Sequence, residues 1–348
     1  MAFLLLYNVG EGLDAGRRGG PLDSGEGRVC VIRHIGKGAP LIIIACVAAF
    51  RILIGAMQAP GVNTSCNPLP YDGPLPSLRV DSIVGETVSH TIKEGETFYD
   101  IARAHDVGIN DLTALYPRFD PWIPPPGTVL TIPTCWIPPG IRQEGIVINL
   151  PELRLYYYHN EGTAVTTYPI GIGTEERVTP QKTFRVSRKI VCPTWTVPPS
   201  LHDKYGAVKI PPGPENPLGR YWIGLGNSSY GIHGTNFPWA VGNLVTHGCI
   251  RAYPEDIREF FPHIAVGTEV EIIYEPVKIT VINGRILIEV HDDIYDLIHD
   301  FRMHGLMIIA ERRLIGEINL DAMQKALDEK TGLPVDITAE PNERRRVG

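Results

Sequence analysis

The sequence predicts a multidomain, mainly β protein: a small βααβ unit, a β-sandwich-like or barrel-like domain, and an α/β C-terminal extension. Three observations predict it. Proline (31) and glycine (36) are abundant among 348 residues, so turns are frequent and long helices few. Short apolar or alternating runs bounded by Gly, Pro or Asn recur from about residue 145 to 275. Helical spacing appears before that stretch and again after it, but not within it. With 43% hydrophobic and 20% charged residues, each part can bury a core. The net charge of -7 excludes nucleic acid as the natural partner, because phosphate binding needs a basic face.

Residues 1–59 carry the compartment signal. Arg28, Arg33, His34 and Lys37 precede an apolar run from Ala39 to Phe50, followed by Arg51 and then Ile52 to Met57. A basic flank before such a run reads as a signal peptide or a membrane anchor. Arg51 interrupts the apolar stretch and favours the signal peptide, since a spanning helix needs about 20 apolar residues. The expectation is an exported protein of the cell envelope, touching the membrane only through such an anchor. Residues 60–87 are a Pro/Gly/Ser-containing linker. In an oxidising compartment Cys66 and Cys135 are a candidate disulfide across the module between them, whereas Cys192 reads as structural.

From 88 to 134 the pattern is compact. Val88 to Ile92 alternates like a strand. Phe98, Ile101, Ala102 and His105, then Ile109, Leu112 and Leu115, fall at helical spacing. Pro124-Pro125-Pro126-Gly127 is a turn and Thr128 to Ile132 a second strand. This unit, with Lys93-Glu94-Gly95-Glu96-Thr97-Phe98 and Pro126-Gly127-Thr128-Val129-Leu130-Thr131-Ile132-Pro133, resembles a LysM module. The resemblance implies binding of N-acetylglucosamine-containing glycans, peptidoglycan strands included; the alternative is a spacer domain.

A second linker, Thr134 to Gly145, leads into residues 145–275. Strands are expected at Ile146–Asn149, Leu153–Tyr158, Ala164–Ile170, Thr183–Ser187, Tyr221–Leu225 and Val270–Ile273. The proline-rich segment from Cys192 to Arg220 is long for a loop, and such loops are usually functional. In the extension, 276–340, a hairpin turning at Asn283-Gly284 is expected within Val277–Val290. Ile294, Leu297, Ile298 and Phe301 then define one amphipathic helix, and Leu320, Met323 and Leu327 another.

The chemistry concentrates in Tyr230-Gly231-Ile232-His233-Gly234-Thr235 and Thr246-His247-Gly248-Cys249-Ile250-Arg251. A catalytic cysteine needs a neighbour to take its proton, because the thiolate is the nucleophile. Two histidines close to one cysteine, set among glycines that permit sharp turns, provide the parts. Gly248 also leaves backbone N–H groups free to face an oxyanion. The rival chemistry, zinc held by His233, His247 and Cys249, lacks further ligands at CxxC or HxxxH spacing.

These two motifs resemble the L,D-transpeptidase (YkuD-type) catalytic domain. Upstream, Pro169-Ile170-Gly171-Ile172-Gly173, Thr179-Pro180 with Phe184, Trp195-Thr196-Val197-Pro198-Pro199 and Asn216-Pro217-Leu218-Gly219 fit the same pattern. The resemblance implies Cys249 as nucleophile and His233 as its base. His247, Gly248, Gly234 and Arg251 would shape the pocket or the oxyanion hole, and Tyr230, Trp195 and Thr246 would line the substrate cleft. It implies peptidoglycan stem peptides as substrate, with a second stem or an envelope lipoprotein as acceptor, in the periplasm or cell envelope. No cofactor and no metal are implied. Thr246 stands where serine is commoner, and Gln181-Lys182 replaces a smaller turn after Thr179-Pro180.

Overall fold

The computed structural model describes residues 78–79, 83–139, 144–159 and 161–340. The segment expected to be a signal peptide or anchor, Cys66 and the final residues lie outside them.

The chain enters as β1 (Leu78–Arg79), β2 (Val84–Gly85) and β3 (Val88–Thr91), then α1 (Phe98–Ala104) and α2 (Ile109–Leu115), then β4 (Val129–Ile132) and β5 (Cys135–Trp136). The βααβ unit is the pair β3–β4 covered by the two helices. Thr97 starts α1 with a capping box: its Oγ1 accepts the Asp100 N–H and its own N–H donates to the Asp100 carboxylate. Phe98, Ile101, Leu112, Leu130 and Ile132 form the buried core.

The catalytic-type domain follows as β6 (Gly145–Asn149), β7 (Arg154–His159), β8 (Ala164–Gly173), β9 (Thr183–Val191), β10 (Trp195–Thr196), α3 (His202–Tyr205), β11 (Lys209–Ile210), β12 (Tyr221–Leu225), β13 (Gly231–His233), β14 (Leu244–Thr246), β15 (Ile250–Ala252), α4 (Pro254–Phe260) and β16 (Glu269–Ile273). The strand order β8-β15-β13-β12-β9-β16-β6-β7 returns to β8 through the β7–β8 ladder. The sheet therefore closes into a barrel rather than a two-sheet sandwich, which removes the exposed edges an open sheet would carry. Ile146, Ile148, Leu155, Ile170, Ile223, Ile232, Ile250 and Val270 belong to its core.

The extension is β17 (Val277–Ile282), β18 (Arg285–Val290), α5 (Phe301–Glu311), α6 (Leu320–Glu329) and β19 (Val335–Asp336). Asn283 (φ 50) and Gly284 (φ 76) make the hairpin turn, as the dipeptide requires. The first helix needs correction. Ile294 to Ile298 form a turn, because the Asp293 carboxylate accepts the N–H groups of Leu297 and Ile298. Helix α5 starts only at Phe301, where Asp300 accepts the Met303 N–H.

The parts are knitted together more tightly than a chain of linkers suggests. β5 pairs with β2, and β1 with β8. Arg154, fully buried on β7, lies 4.0 Å over the Trp136 ring, donates to the Asp106 carbonyl and pairs with Asp111 at 3.3 Å. Val147, Tyr156, Tyr158 and Val165 of the barrel share one apolar cluster with Phe98, Ile109 and Leu112 of the βααβ unit. On the other side, the buried Lys278 on β17 donates to the Ile137 carbonyl at 2.6 Å and pairs with Glu289 at 2.7 Å and with Glu152. One cation thus joins the segment after β5, the barrel and the extension.

The proposed Cys66–Cys135 disulfide is not formed: Cys135 is a free thiol within β5. Its position opposite Gly85 in the β2–β5 pair places it in a ladder instead. Cys192 is the cysteine that is disulfide-bonded, to a partner outside the described residues.

Candidate active site

The site is built on one row of the barrel. Strand register places Trp222 directly opposite Ile190 on one side and His233 on the other, and His233 opposite Arg251. Directly paired residues point to the same face of a sheet. Ile190, Trp222, His233 and Arg251 therefore share a face, while Ile223, Ile232 and Ile250 point into the barrel core. That outer face is one wall of a cavity of about 360 Å³, lined also by Tyr230, Thr246, His247 and Cys249.

The segment after Cys192 makes the opposite wall. Trp195, Leu201, Lys204 and Tyr205 line the cavity from it. It is a folded structure with β10 paired to β11 and α3 between them. Asn216 staples it: its buried amide donates to the carbonyls of Pro193 (2.8 Å), Pro211 (3.1 Å) and Ile210 (3.3 Å), and its Oδ1 accepts the Leu218 N–H.

Two turns present the reactive groups. His233 ends β13, and its Nδ1–H donates to the Gly234 carbonyl at 2.6 Å. A carbonyl can only accept, so the proton sits on Nδ1 and Nε2 is left as a free base. The ring is held by stacking on Trp222, with centroids 5.6 Å apart and planes 14° from parallel. Cys249 follows Gly248, whose φ of +97° is open to glycine; a Cβ there would lie 2.6 Å from the Tyr230 ring. Thr246 Oγ1 ties the turn by donating to the Cys249 carbonyl (2.6 Å) and accepting the Gly248 N–H (3.1 Å).

That last bond corrects one expectation. The Gly248 N–H is committed to Thr246, so it does not face an oxyanion. The Cys249 N–H has no acceptor among the described residues and is the amide left to do so.

Electrostatically the cleft holds both its imidazole and its thiol uncharged. Burial, reinforced by the neighbouring Arg251 charge, lowers the His233 pKa to about 3. Burial raises the Cys249 thiol to about 11, against a smaller opposing pull from the Gly231 backbone and Arg251. The Sγ–H points towards the Ser229 carbonyl at 3.8 Å. Thiol and imidazole both rest uncharged, ready for general-base rather than preformed ion-pair chemistry.

All the candidate residues converge here. His233, His247, Cys249, Arg251, Trp195, Tyr230 and Thr246 line the cavity, and Gly234 and Gly248 shape the two turns. Trp222 lines it too, as do Arg188 and Lys204, which were not anticipated. For Arg188 the signal existed: it lies two residues before Ile190 on β9 and so on the same face.

Residues 143–272 match the L,D-transpeptidase catalytic domain, and residues 90–133 match the LysM domain. The chain is 36% identical over 284 residues to the probable L,D-transpeptidase YcfS of Escherichia coli (strain K12), spanning 76% of this chain and 87% of that protein. The chain belongs to the L,D-transpeptidase family. It is likewise 36% identical over 306 residues to the probable L,D-transpeptidase YbiS of the same organism, 83% of this chain and 96% of that one. With probable L,D-transpeptidase ErfK/SrfK it shares 33% over 288 residues, covering 78% and 90%. As an L,D-transpeptidase it carries the family's cysteine-based acyl-transfer domain behind a LysM peptidoglycan-binding module.

Proposed function

We propose that Cys249 is the nucleophile and His233 the base of a peptidoglycan L,D-transpeptidase in the cell envelope. The observation that carries this is the convergence of the Cys249 thiol, a His233 imidazole with Nε2 free, and the unengaged Cys249 N–H on one cavity. His233 Nε2 takes the thiol proton as sulfur attacks the carbonyl joining the L-centre of a dibasic residue to the terminal D-Ala of a tetrapeptide stem. The oxyanion is met by the Cys249 N–H. The C–N bond breaks, the D-Ala amine leaves with the proton from His233, and a thioester remains. An amine then attacks the thioester, gives its proton to His233 and through it to sulfur, and regenerates the thiol.

The neutral resting pair suits this sequence. Proton transfer from a thiol near 11 to an imidazole near 3 is uphill, so it proceeds only as the carbonyl carbon accepts the sulfur. The acceptor is a second stem or an envelope lipoprotein amine, and the LysM module holds the glycan strand. The kinship with the probable L,D-transpeptidases above and the basic, apolar N-terminal sequence support placement outside the cytoplasm. Among the described residues no helix is long and apolar enough to cross a membrane.

The test is mass spectrometry of disaccharide-tetrapeptide fragments incubated with the full chain and with Cys249→Ala. Loss of D-Ala with cross-linked dimers, absent from the variant, is expected. Tripeptide without dimers would instead mark an L,D-carboxypeptidase or a dependence on a protein acceptor. Unchanged fragments together with an unreactive Cys249 would refute the reading.

A further inference from the structure

The cleft is unusual in its charge. Its lining includes Arg188, Lys204 and Arg251 and not one Asp or Glu. None of the three cations forms an ion pair with a described residue. The register explains why they face one space. Arg188 sits opposite Gly224, which sits opposite Gly231, one row along from the Trp222–His233–Arg251 row and on the same face. The two glycines in that row make room for larger neighbours: a Cβ at Gly224 would lie 3.0 Å from the Arg188 side chain, and one at Gly231 would lie 2.4 Å from the Trp222 ring. Lys204 reaches the same cavity from α3 on the opposite wall.

Two buried donors point the same way. The Nε–H of Arg251 and the Nε1–H of Trp222 have no hydrogen-bond partner. Unpaired buried donors are rare in folded proteins, and each calls for an explanation. Three cations without an acidic partner, with the unpaired donors of Arg251 and Trp222 among them, around one acid-free cavity are complementary to an anionic ligand with several acceptor oxygens.

We propose that Arg188, Lys204 and Arg251 form a carboxylate-reading wall that selects donor stems whose carboxylates are free over stems in which they are amidated. This rests on the reading of the cleft as the donor-stem site and adds its selectivity. Arg251, beside the nucleophile, engages the carboxylate nearest the scissile bond. Arg188 and Lys204 engage those farther along the stem, where a carboxamide would meet each cation with a dipole in place of a charge.

The test separates binding from turnover. Affinity is measured for full-chain Cys249→Ala, and kcat/KM for D-Ala release by the full-chain wild type, each with free-carboxylate and with amidated disaccharide-tetrapeptides. Amidation is expected to weaken both by about 10-fold or more, the size of one charge-assisted hydrogen bond. Arg188→Gln and Lys204→Gln, both at exposed side chains and so without loss of a core contact, are expected to narrow the gap between the two stems. Equal handling of the two stems by the unsubstituted wall would overturn the proposal, as would variants that lose equally on both. If binding depends on free carboxylates but the wild type releases no D-Ala, the wall stands and the transpeptidase reading falls.

Discussion

Replacing Lys278 by Met removes the ammonium paired with the buried carboxylates of Glu152 and Glu289. All three side chains are 3% exposed or less. At the 2.7 Å separation of Lys278 and Glu289, and an effective dielectric of about 20, the attraction is roughly 6 kcal/mol. Desolvating the ions offsets most of it in the wild type. The substitution forfeits the attraction and the Ile137 hydrogen bond but leaves both carboxylates buried, so the expected loss is about 3–5 kcal/mol.

The dependence on pH gives the sharper criterion. In the wild type burial works against the Glu289 carboxylate, yet Lys278 and His291 hold its pKa below the ordinary value, while burial holds Glu152 above it. The two opposed shifts partly cancel in the linkage. Without Lys278 both carboxylates rise above their unfolded value near 4.3, so the folded state binds more protons than the unfolded one. Stability of the variant then falls as pH rises above that value. Urea unfolding of wild type and Lys278→Met at pH 5 and pH 8 checks this: the penalty should be larger at pH 8, and Glu289→Gln added to the variant should recover part of it. A penalty below about 1 kcal/mol at pH 8, or one equal at both pH values, would refute the reasoning.

Alkylation of Cys249 should accelerate with rising pH towards a midpoint near 11, above that of a free thiol, because burial disfavours the thiolate. Arg251→Ala should move the midpoint higher still, and a midpoint below about 8.5 would show that an ion pair with His233 exists at rest. Gly248→Ala should abolish D-Ala release and lower the melting temperature by several degrees, since φ of +97° and the Tyr230 ring 2.6 Å from the new Cβ impose strain of about 1–3 kcal/mol on the Cys249 turn. Wild-type turnover by that variant would show that the turn relaxes without displacing Cys249.

What the sequence disclosed was local. Phe98, Ile101 and Ala102 at helical spacing announce α1, and Asn283-Gly284 announces its hairpin. His233 and Cys249 stand in short motifs whose glycines mark turns. What it hid depends on register or on distant charges. Trp222 stacks on His233 only because β12 and β13 pair in that frame, and nothing in the spacing of the two residues fixes it. The turn from Ile294 to Ile298 has helical apolar spacing, and a single carboxylate, Asp293, overrides it. Cys66 and Cys135 flank a module as a disulfide pair would, yet Cys135 is a ladder residue and Cys192 holds the disulfide.

The same distinction bears on how the LysM module relates to the cleft. Composition around residues 134–145 suggests a tether, and a tethered module would only raise the local concentration of glycan. The structure instead buries Arg154 between Trp136 and Asp111 and pairs Arg103 with Glu255 at the start of α4, the helix that follows the cysteine motif and β15. A buried guanidinium tolerates few arrangements, because any displacement leaves it unpaired at a cost of several kcal/mol. The module and the barrel, sharing one apolar cluster as well, hold a fixed orientation. A glycan strand gripped by the module would therefore be presented to the Cys249 cavity at a set distance and angle, and that geometry limits which stems along the strand can enter it.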